Sequence, residues 1–387
     1  MESSKGLMNR PVNRRSLLQK GMIAAGAAVG GAVLLGGERS AFGQSTGNSL
    51  TAGDIAILRF VAAAEIIESD LWIQYAELGG LTPGQEPLEV NPNEQPMNNY
   101  QASFLNLDGD GPQYISSNTL DEISHAKFLN AYLQSKGAEP VDLERFRTLR
   151  GSQASGARDI PRLTNLMHLN VDTSWFVRYR SATNPDFGAT FPQAITLRGV
   201  TAIPRNNADF DGAPFPDGNP NGLGGNLHTQ AIADVAAFHF AAIEQGGSSL
   251  YQALSQKVSS LEVLKITMAI GGDEVAHFLE WVDFAGNGVQ PPVAPFTDHQ
   301  SGLTFPNFFS PLNPAIQPNL IFPVPCEFIS PNLPHCAVIR PTSDQFAGAQ
   351  AAVAAFTNSN LFFGQSPEFF LAINHLAEEA DAATREL

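Results

Sequence analysis

Cysteine and positive charge are both scarce in this sequence. Only two cysteines, Cys326 and Cys336, stand among its 387 residues, which excludes a four-cysteine zinc ribbon and a dense disulfide framework. A disulfide between the two is predicted for an oxidising compartment, with two unpaired buried thiols as the alternative. The 22 Lys and Arg residues are outnumbered by 38 Asp and Glu residues, so the net charge is −16. This charge disfavours nucleic acid and anionic membrane surfaces as partners.

Long apolar runs are also absent, apart from the uncharged stretch 21–37. That stretch is rich in Gly and Ala and is marginal for crossing a membrane. Arg14 and Arg15 precede it side by side, and small residues follow it. Together these features predict a cleaved twin-arginine signal peptide over residues 1–43, with an uncleaved membrane anchor as the alternative. The mature protein is therefore expected in the periplasm or outside the cell, without a stable membrane span.

Helical periodicity is clear in four segments. Apolar residues make up 43% of the sequence, enough to fill a sizeable core, and they recur here at the three- and four-residue steps of one helical face. The second helix is expected to begin at an N-cap formed by Asn118 or Thr119. In the fourth, Gly271 and Gly272 either end one helix and begin another or allow a neighbouring backbone to come close. The four predicted helices are residues 54–78, 120–135, 228–258 and 261–284.

The rest of the chain has a weaker helical pattern. Between the second and third helices, residues 137–227 form an insert dominated by turn residues, with its most ordered part predicted at 164–180. A Pro-rich extension follows the fourth helix and contains two further predicted helices, at about 343–356 and 367–385. The sequence therefore predicts a signal peptide, a helical core with an insert, and a C-terminal extension, over residues 1–43, 44–287 and 288–387.

The motif Asp-Glu-x-x-His occurs twice, once in the second predicted helix and once in the fourth. Its Glu and His members are Glu122 with His125 and Glu274 with His277. Residues three apart project from the same side of a helix, so each pair can reach one centre. The first and third helices each carry a single glutamate among apolar neighbours, where an unpaired carboxylate would be costly.

Glu65 and Glu244 are these single glutamates, and each is followed seven residues later by an aromatic residue, Trp72 or Tyr251. The step to Trp72 favours Glu65 over Glu68 as the inward residue of the first helix. Carboxylates combined with imidazoles suit iron or manganese, whereas oxygen-only sites suit calcium and thiolates suit structural zinc. The pattern therefore predicts a metal site. The alternative is that the histidines are hydrogen-bonded core residues and the glutamates are solvated.

With this order of Glu, ExxH, Glu and ExxH, the four helices resemble the ferritin-like superfamily of di-iron and di-manganese carboxylate proteins. Within it, the chain is similar to exported bacterial ferritin-like proteins associated with desiccation and stress. The resemblance covers the four core helices and leaves the insert and the extension unmatched. It implies an all-α core in the form of a ferritin-like four-helix bundle that holds two metal ions, iron or manganese. Many members have Tyr at the position of Trp72.

The resemblance also implies a role for each ligand. Glu122 and Glu274 would bridge the two metal ions. Glu65 and Glu244 would bind one metal ion each. His125 and His277 would each complete the ligands of one metal ion. Trp72 and Tyr251 are expected to lie directly behind the ligands.

Asp121 and Asp273 come immediately before the glutamate of each motif. A metal-bound histidine usually donates its second ring N–H to a carboxylate or carbonyl, which fixes its tautomer and orientation. Neither aspartate easily reaches the histidine of its own helix. If the second and fourth helices face each other in antiparallel fashion, Asp121 pairs with His277 and Asp273 with His125, as the resemblance also implies. The alternative is that both aspartates are exposed surface charges.

Two functional classes follow from these predictions. The first is a redox enzyme whose paired metals exchange electrons with dioxygen or peroxide in stress defence, as the resemblance implies. The second is a non-enzymatic desiccation- or stress-protective protein in which the metals fasten the bundle. A bare ferritin cage is disfavoured, because the insert and the extension would have to lie outside a tightly packed shell. Metal ions and a small oxidant are the expected partners, and an oligomer is compatible with the sequence.

Overall fold

A computed structural model of the chain provides the structure. It describes residues 50–79, 99–104, 107, 111–173, 194–210, 227–283, 297–305, 323–324, 326, 329–339 and 347–386. The predicted signal peptide lies outside the described residues. Among the described residues, no helix combines the length and the apolar character that crossing a membrane requires.

Four long helices form the core, and the predicted all-α core is confirmed. Helix α1 packs along α2, and α3 packs along α4. Three of the four helices begin and end within a few residues of the predicted bounds, because their apolar spacing is regular. In chain order, α1 to α4 are Ala52–Ala76, Gly111–Ser135, Leu227–Ser255 and Leu261–Asp283.

Helix α2 begins well before its predicted start. It starts at Gly111, so the predicted N-cap at Asn118 or Thr119 is wrong. Both side chains are buried inside the helix, where each has a hydrogen-bonding role. The Thr119 hydroxyl donates to the Ile115 carbonyl at 2.6 Å, and the Asn118 amide donates to Glu122. Both polar side chains therefore form hydrogen bonds inside the protein and do not cap the helix.

Helix α4 continues through Gly271 and Gly272 without a break. A Cβ atom at Gly271 would lie 2.7 Å from Cβ of Tyr251 on α3, closer than two such atoms come. A Cβ atom at Gly272 would have nothing within 4 Å. Gly271 is therefore required for the close packing of α3 against α4, as the second alternative predicted, and the alternative that one helix ends here and another begins is wrong.

The start of α1 is tied to the turn between α3 and α4. Oγ1 of Thr51 caps α1 by accepting from the Asp54 backbone N–H at 3.0 Å. The Asp54 carboxylate in turn accepts the backbone N–H groups of Ser259 at 2.8 Å and Ser260 at 3.0 Å, just before α4 begins. A negative charge at this end of α4 also complements the helix dipole.

The described part of the insert is mostly irregular and is attached to α1. A two-residue antiparallel ladder joins β1, Val171–Asp172, to β2, Thr196–Leu197. The buried carboxylate of Asp70 on α1 accepts from the backbone N–H groups of Leu163 at 3.0 Å and Thr164 at 2.9 Å, and it also pairs with Arg147. Asp70 is therefore one of the residues that hold the insert to the core, together with Gln74 and Glu77.

We expect Asp70→Asn to lower the free energy of unfolding by about 3 kcal/mol, because an amide nitrogen would replace an oxygen that accepts hydrogen bonds from buried donors. Chemical denaturation measures this. The control is Glu144→Gln, because Glu144 contacts the same Arg147 at 2.8 Å from an exposed position and should change stability by less than about 1 kcal/mol. Equal effects of the two variants would contradict the anchoring role of Asp70.

The C-terminal extension contains two helices near the predicted positions, α5, Ala349–Asn358, and α6, Pro367–Ala382. Helix α6 packs against α1, and α5 contacts α6 and α3. A second two-residue ladder pairs β3, Pro323–Val324, with β4, Cys336–Ala337. The extension is therefore part of the same packed unit as the core helices.

The predicted disulfide between Cys326 and Cys336 is not present in the structure. In the ladder, Cys336 lies opposite Val324, two residues before Cys326, so the two cysteines are not cross-strand partners. Cys326 is buried and Cys336 is exposed. The bridge therefore stays a prediction from the sequence.

Candidate metal centre

The four core helices bring the six predicted ligands together in one buried site. Glu65 lies on α1, Glu122 and His125 on α2, Glu244 on α3, and Glu274 and His277 on α4, and all six are buried. Within α2 and α4, the three-residue step places Glu and His of each pair on the same side of the helix, as the spacing predicted. Glu122, Glu244 and Glu274 have no exposed surface.

The first group of ligand atoms surrounds His125. Its Nδ1 lies 3.3 Å from Oε2 of Glu65, 3.3 Å from Oε2 of Glu122 and 3.9 Å from Oε1 of Glu274. One ligand atom from each of these four residues lies within 4.8 Å of those of the other three. The group combines three carboxylates and one imidazole, which is a donor set for iron or manganese.

The second group surrounds His277 and shares Glu122 with the first. Nδ1 of His277 lies 3.1 Å from Oε1 of Glu122 and 3.2 Å from Oε2 of Glu244. Glu122 therefore directs one carboxylate oxygen towards each histidine. Glu274 also belongs to two groups, because its carboxylate lies with those of Glu68 and Glu244 in a further cluster. Glu122 is thus shared by both histidine groups, whereas Glu274 is shared by the His125 group and the carboxylate cluster.

Several carboxylate oxygens in this centre suit a cation. Both oxygens of Glu274 and Oε1 of Glu68 are buried and have no hydrogen-bond partner among the described residues. A buried carboxylate oxygen without a partner is costly, and a divalent cation would satisfy it. The residues present therefore fit a metal-binding role.

Burial and the close spacing of these carboxylates also raise their pKa values. Burial, together with the charges of Glu244 and Glu65, raises the pKa of Glu122 to about 8. Burial and neighbouring carboxylates also raise the pKa values of Glu68 and Glu274 well above their ordinary range. Because like charges so close together resist joint ionisation, cations would favour the fully ionised set.

Each histidine turns its other ring nitrogen towards an aspartate of the opposite helix. Nε2 of His125 lies 3.2 Å from Oδ2 of Asp273, and Nε2 of His277 lies 3.4 Å from Oδ2 of Asp121. The contact of Asp273 with His277, on its own helix, is longer, at 3.8 Å. The structure thus has both of the predicted cross-helix contacts. With Nε2 facing an aspartate, Nδ1 faces the glutamates.

These contacts affect the protonation of the histidines. Burial lowers the pKa of His125, but hydrogen bonds to Asp273, Glu122 and Glu65 outweigh that effect and raise it to about 12. The pKa of His277 is also raised, because the charge of Glu244 and hydrogen bonds to Asp121 and Glu122 outweigh burial. Without a cation, both rings would therefore carry a proton that balances part of the acidic cluster.

We expect Asp121→Asn to weaken metal binding by roughly 10- to 100-fold, because the shape of the side chain is kept while the charge that orients His277 is lost. Competition with a chelator of known affinity measures this. Asp142→Asn is a control in the insert, since Asp142 is exposed and its Oδ1 accepts the backbone N–H of Glu144 at 2.8 Å, a bond that asparagine can keep. Unchanged metal affinity in Asp121→Asn would contradict the positioning role.

Trp72 and Tyr251 hold two glutamates from across the core. Nε1 of Trp72 on α1 donates to Oε1 of Glu244 on α3 at 3.0 Å. The Tyr251 hydroxyl on α3 donates to Oε1 of Glu65 on α1. These reciprocal bonds leave the second oxygen of each glutamate directed at a histidine. Trp72 therefore supplies the hydrogen bond that a tyrosine could supply at its position.

Three residues at the centre were not predicted as part of it. Glu68 lies three residues after Glu65 and joins Glu244 and Glu274 in a carboxylate cluster. Asn118 donates to Oε1 of Glu122 at 2.7 Å and accepts from Nε1 of Trp281 at 2.5 Å. Helical spacing could have indicated both, because Asn118 is one turn before Glu122 and Glu68 one turn after Glu65.

Gly247 is the third of these residues. A Cβ atom at this position would lie 1.9 Å from Oε2 of Glu274, so no larger residue leaves that carboxylate in place. Nothing in the sequence indicated this contact, because the two residues are on different helices.

No match was found when the chain was compared with protein-family models, curated proteins and solved structures.

Proposed function

We propose that the protein is an exported ferritin-like protein that binds two iron or manganese ions and reacts with dioxygen or peroxide in stress defence. The observation that carries the proposal is the pair of buried histidine groups joined by Glu122, with one carboxylate oxygen towards each imidazole. In this proposal, the four long helices form a ferritin-like four-helix bundle. The twin-arginine signal predicted from the sequence directs the protein to the periplasm or beyond.

Each ligand has a defined role in this proposal. Glu65 with His125 would hold one metal ion, and Glu244 with His277 would hold the other. Glu122 and Glu274 would bind both ions. Two iron or manganese ions held by these residues would supply the exchange of two electrons with dioxygen or peroxide.

The surrounding residues keep this ligand set in place. Trp72 and Tyr251 each bind one oxygen of a terminal glutamate, which restricts its rotation. Asp121 and Asp273 fix the histidine rings. Aromatic rings also pack beside the centre, where Trp72 stacks on Trp281 with ring centroids 5.3 Å apart. This packing excludes water and strengthens the electrostatic interactions of the ligands.

Metal analysis of the purified mature protein, combined with a peroxide-decay assay, tests the proposal. Two iron or manganese ions per chain together with catalytic peroxide decay would support it. Two ions without turnover, together with a large loss of thermal stability on chelation, would instead support a protective protein with a structural metal site. The absence of bound metal after reconstitution with either ion would overturn both.

A further inference from the structure

A cavity of about 550 Å³ lies beside the metal centre, between α3, α5 and the β1–β2 ladder. This volume is typical of pockets that bind small organic molecules, which measure roughly 300 to 1,000 Å³. It is far larger than a molecule of dioxygen or peroxide requires. The cavity therefore has room for a molecule larger than those that the proposed function names.

The inner end of the cavity reaches the carboxylate cluster. Glu68 lines the cavity, is only 6% exposed, and has an oxygen without a hydrogen-bond partner among the described residues. Its carboxylate lies within 4.8 Å of those of Glu244 and Glu274. A molecule in contact with Glu68 would thus be one side chain away from the metal ligands.

The walls of the cavity are mainly apolar. Helix α3 contributes Ile243 and Leu250, and α5 contributes a row of alanines and Phe356. Arg198 on the insert also lines the cavity and is exposed, whereas Leu250 is buried. The lining therefore includes both exposed residues and buried ones, and Glu68 is one of the buried residues.

We propose that this cavity binds an apolar organic molecule with one end against Glu68. Burial of apolar surface supplies the affinity, because few lining groups offer a charge or a hydrogen bond at depth. The proximity of the bound molecule to metal ions rests on the proposed function. The proposal also gives the insert and the extension a role, since they build the walls that α3 alone does not provide.

Titration calorimetry with 1-hexanol, 1-octanol and 1-decanol tests this binding on the full protein as purified. An apolar cavity predicts that the dissociation constant falls about fourfold per added methylene until the cavity is full. Gly246 lines the cavity, and a Cβ atom there would have nothing within 4 Å. Gly246→Leu should therefore occupy the cavity and weaken 1-octanol binding by at least about tenfold.

Gly272→Leu is the matched control, because it makes the same change at an exposed helical glycine with equally open space, away from the cavity. Its affinity for 1-octanol should stay within about twofold of the wild-type value. Ala355→Phe fills the cavity from the opposite wall and provides a second blocking variant if Gly246→Leu does not fold. No binding by the wild type, no dependence on chain length, or unchanged binding in the blocking variants would overturn the proposal.

Proton relaxation of bound 1-octanol tests its position relative to the metals. Relaxation should be faster in the manganese-containing protein than in the zinc-containing protein, because only manganese is paramagnetic. Equal relaxation with metal bound would overturn the placement against Glu68. A protein that binds the alcohols but no metal would contradict the proposed function and leave the cavity assignment standing.

Discussion

If the centre binds two metal ions as proposed, replacing Glu122 by alanine should reduce the metal content from two ions per chain to nearly none. Oε2 of Glu122 lies 3.3 Å from Nδ1 of His125, and Oε1 lies 3.1 Å from Nδ1 of His277. One substitution therefore removes a ligand from each metal ion and the carboxylate that screens the two ions from each other. Elemental analysis of protein reconstituted with iron or manganese measures the effect.

Glu262→Ala is the control for this experiment. Glu262 is on α4, more than half exposed, and pairs with Lys136 at 2.7 Å. Its loss should leave the metal content unchanged and alter the free energy of unfolding by no more than about 1 kcal/mol. If Glu122→Ala kept both ions, Glu122 would not bridge them, and the proposed ligand set would have to be abandoned.

Gly247→Ala should have the second largest effect, although it adds a single methyl group. The new Cβ atom would lie 1.9 Å from Oε2 of Glu274, so this carboxylate must leave its position. We expect at least a roughly tenfold loss of metal affinity, and overpacking should cost about 1 to 3 kcal/mol of stability. Competition with a chelator of known affinity measures the loss of metal affinity, and thermal unfolding measures the loss of stability.

The adjacent residue offers a closely matched control. A Cβ atom at Gly246 would have nothing within 4 Å, so Gly246→Ala should keep two metal ions. It should also raise stability slightly, because alanine favours a helix interior more than glycine does. Equal metal loss in the two variants would show that α3 itself, and not contact with Glu274, is sensitive to substitution.

The helical core could be predicted because its signals are local. The apolar spacing of α1, α3 and α4 continues over several turns, and packing then follows from the position of the apolar face. The start of α2 could not be predicted in this way. Asn118 and Thr119 are good N-cap residues, and only their contacts with Glu122 and Ile115 show that they lie inside the helix.

The placement of the six predicted ligands also follows from local spacing. A three-residue step places Glu122 and His125 on one face of α2, and Glu274 and His277 on one face of α4, wherever the helices pack. Contacts between distant segments carry no such signal. The space that Gly247 leaves for Glu274 and the attachment of Thr164 to Asp70 depend on tertiary packing, and the sequence did not indicate either.

The contact between α6 and α1 has a consequence for the order of assembly. These helices are near opposite ends of the described chain, yet they pack together. The carbonyl of Asp381 in α6 accepts from Nζ of Lys257 at 2.6 Å, just after α3. Such distant contacts form late during folding, because the intervening chain must first be ordered. The contact of α1, which carries Glu65, with α6 can therefore form only after almost the whole chain has been synthesised.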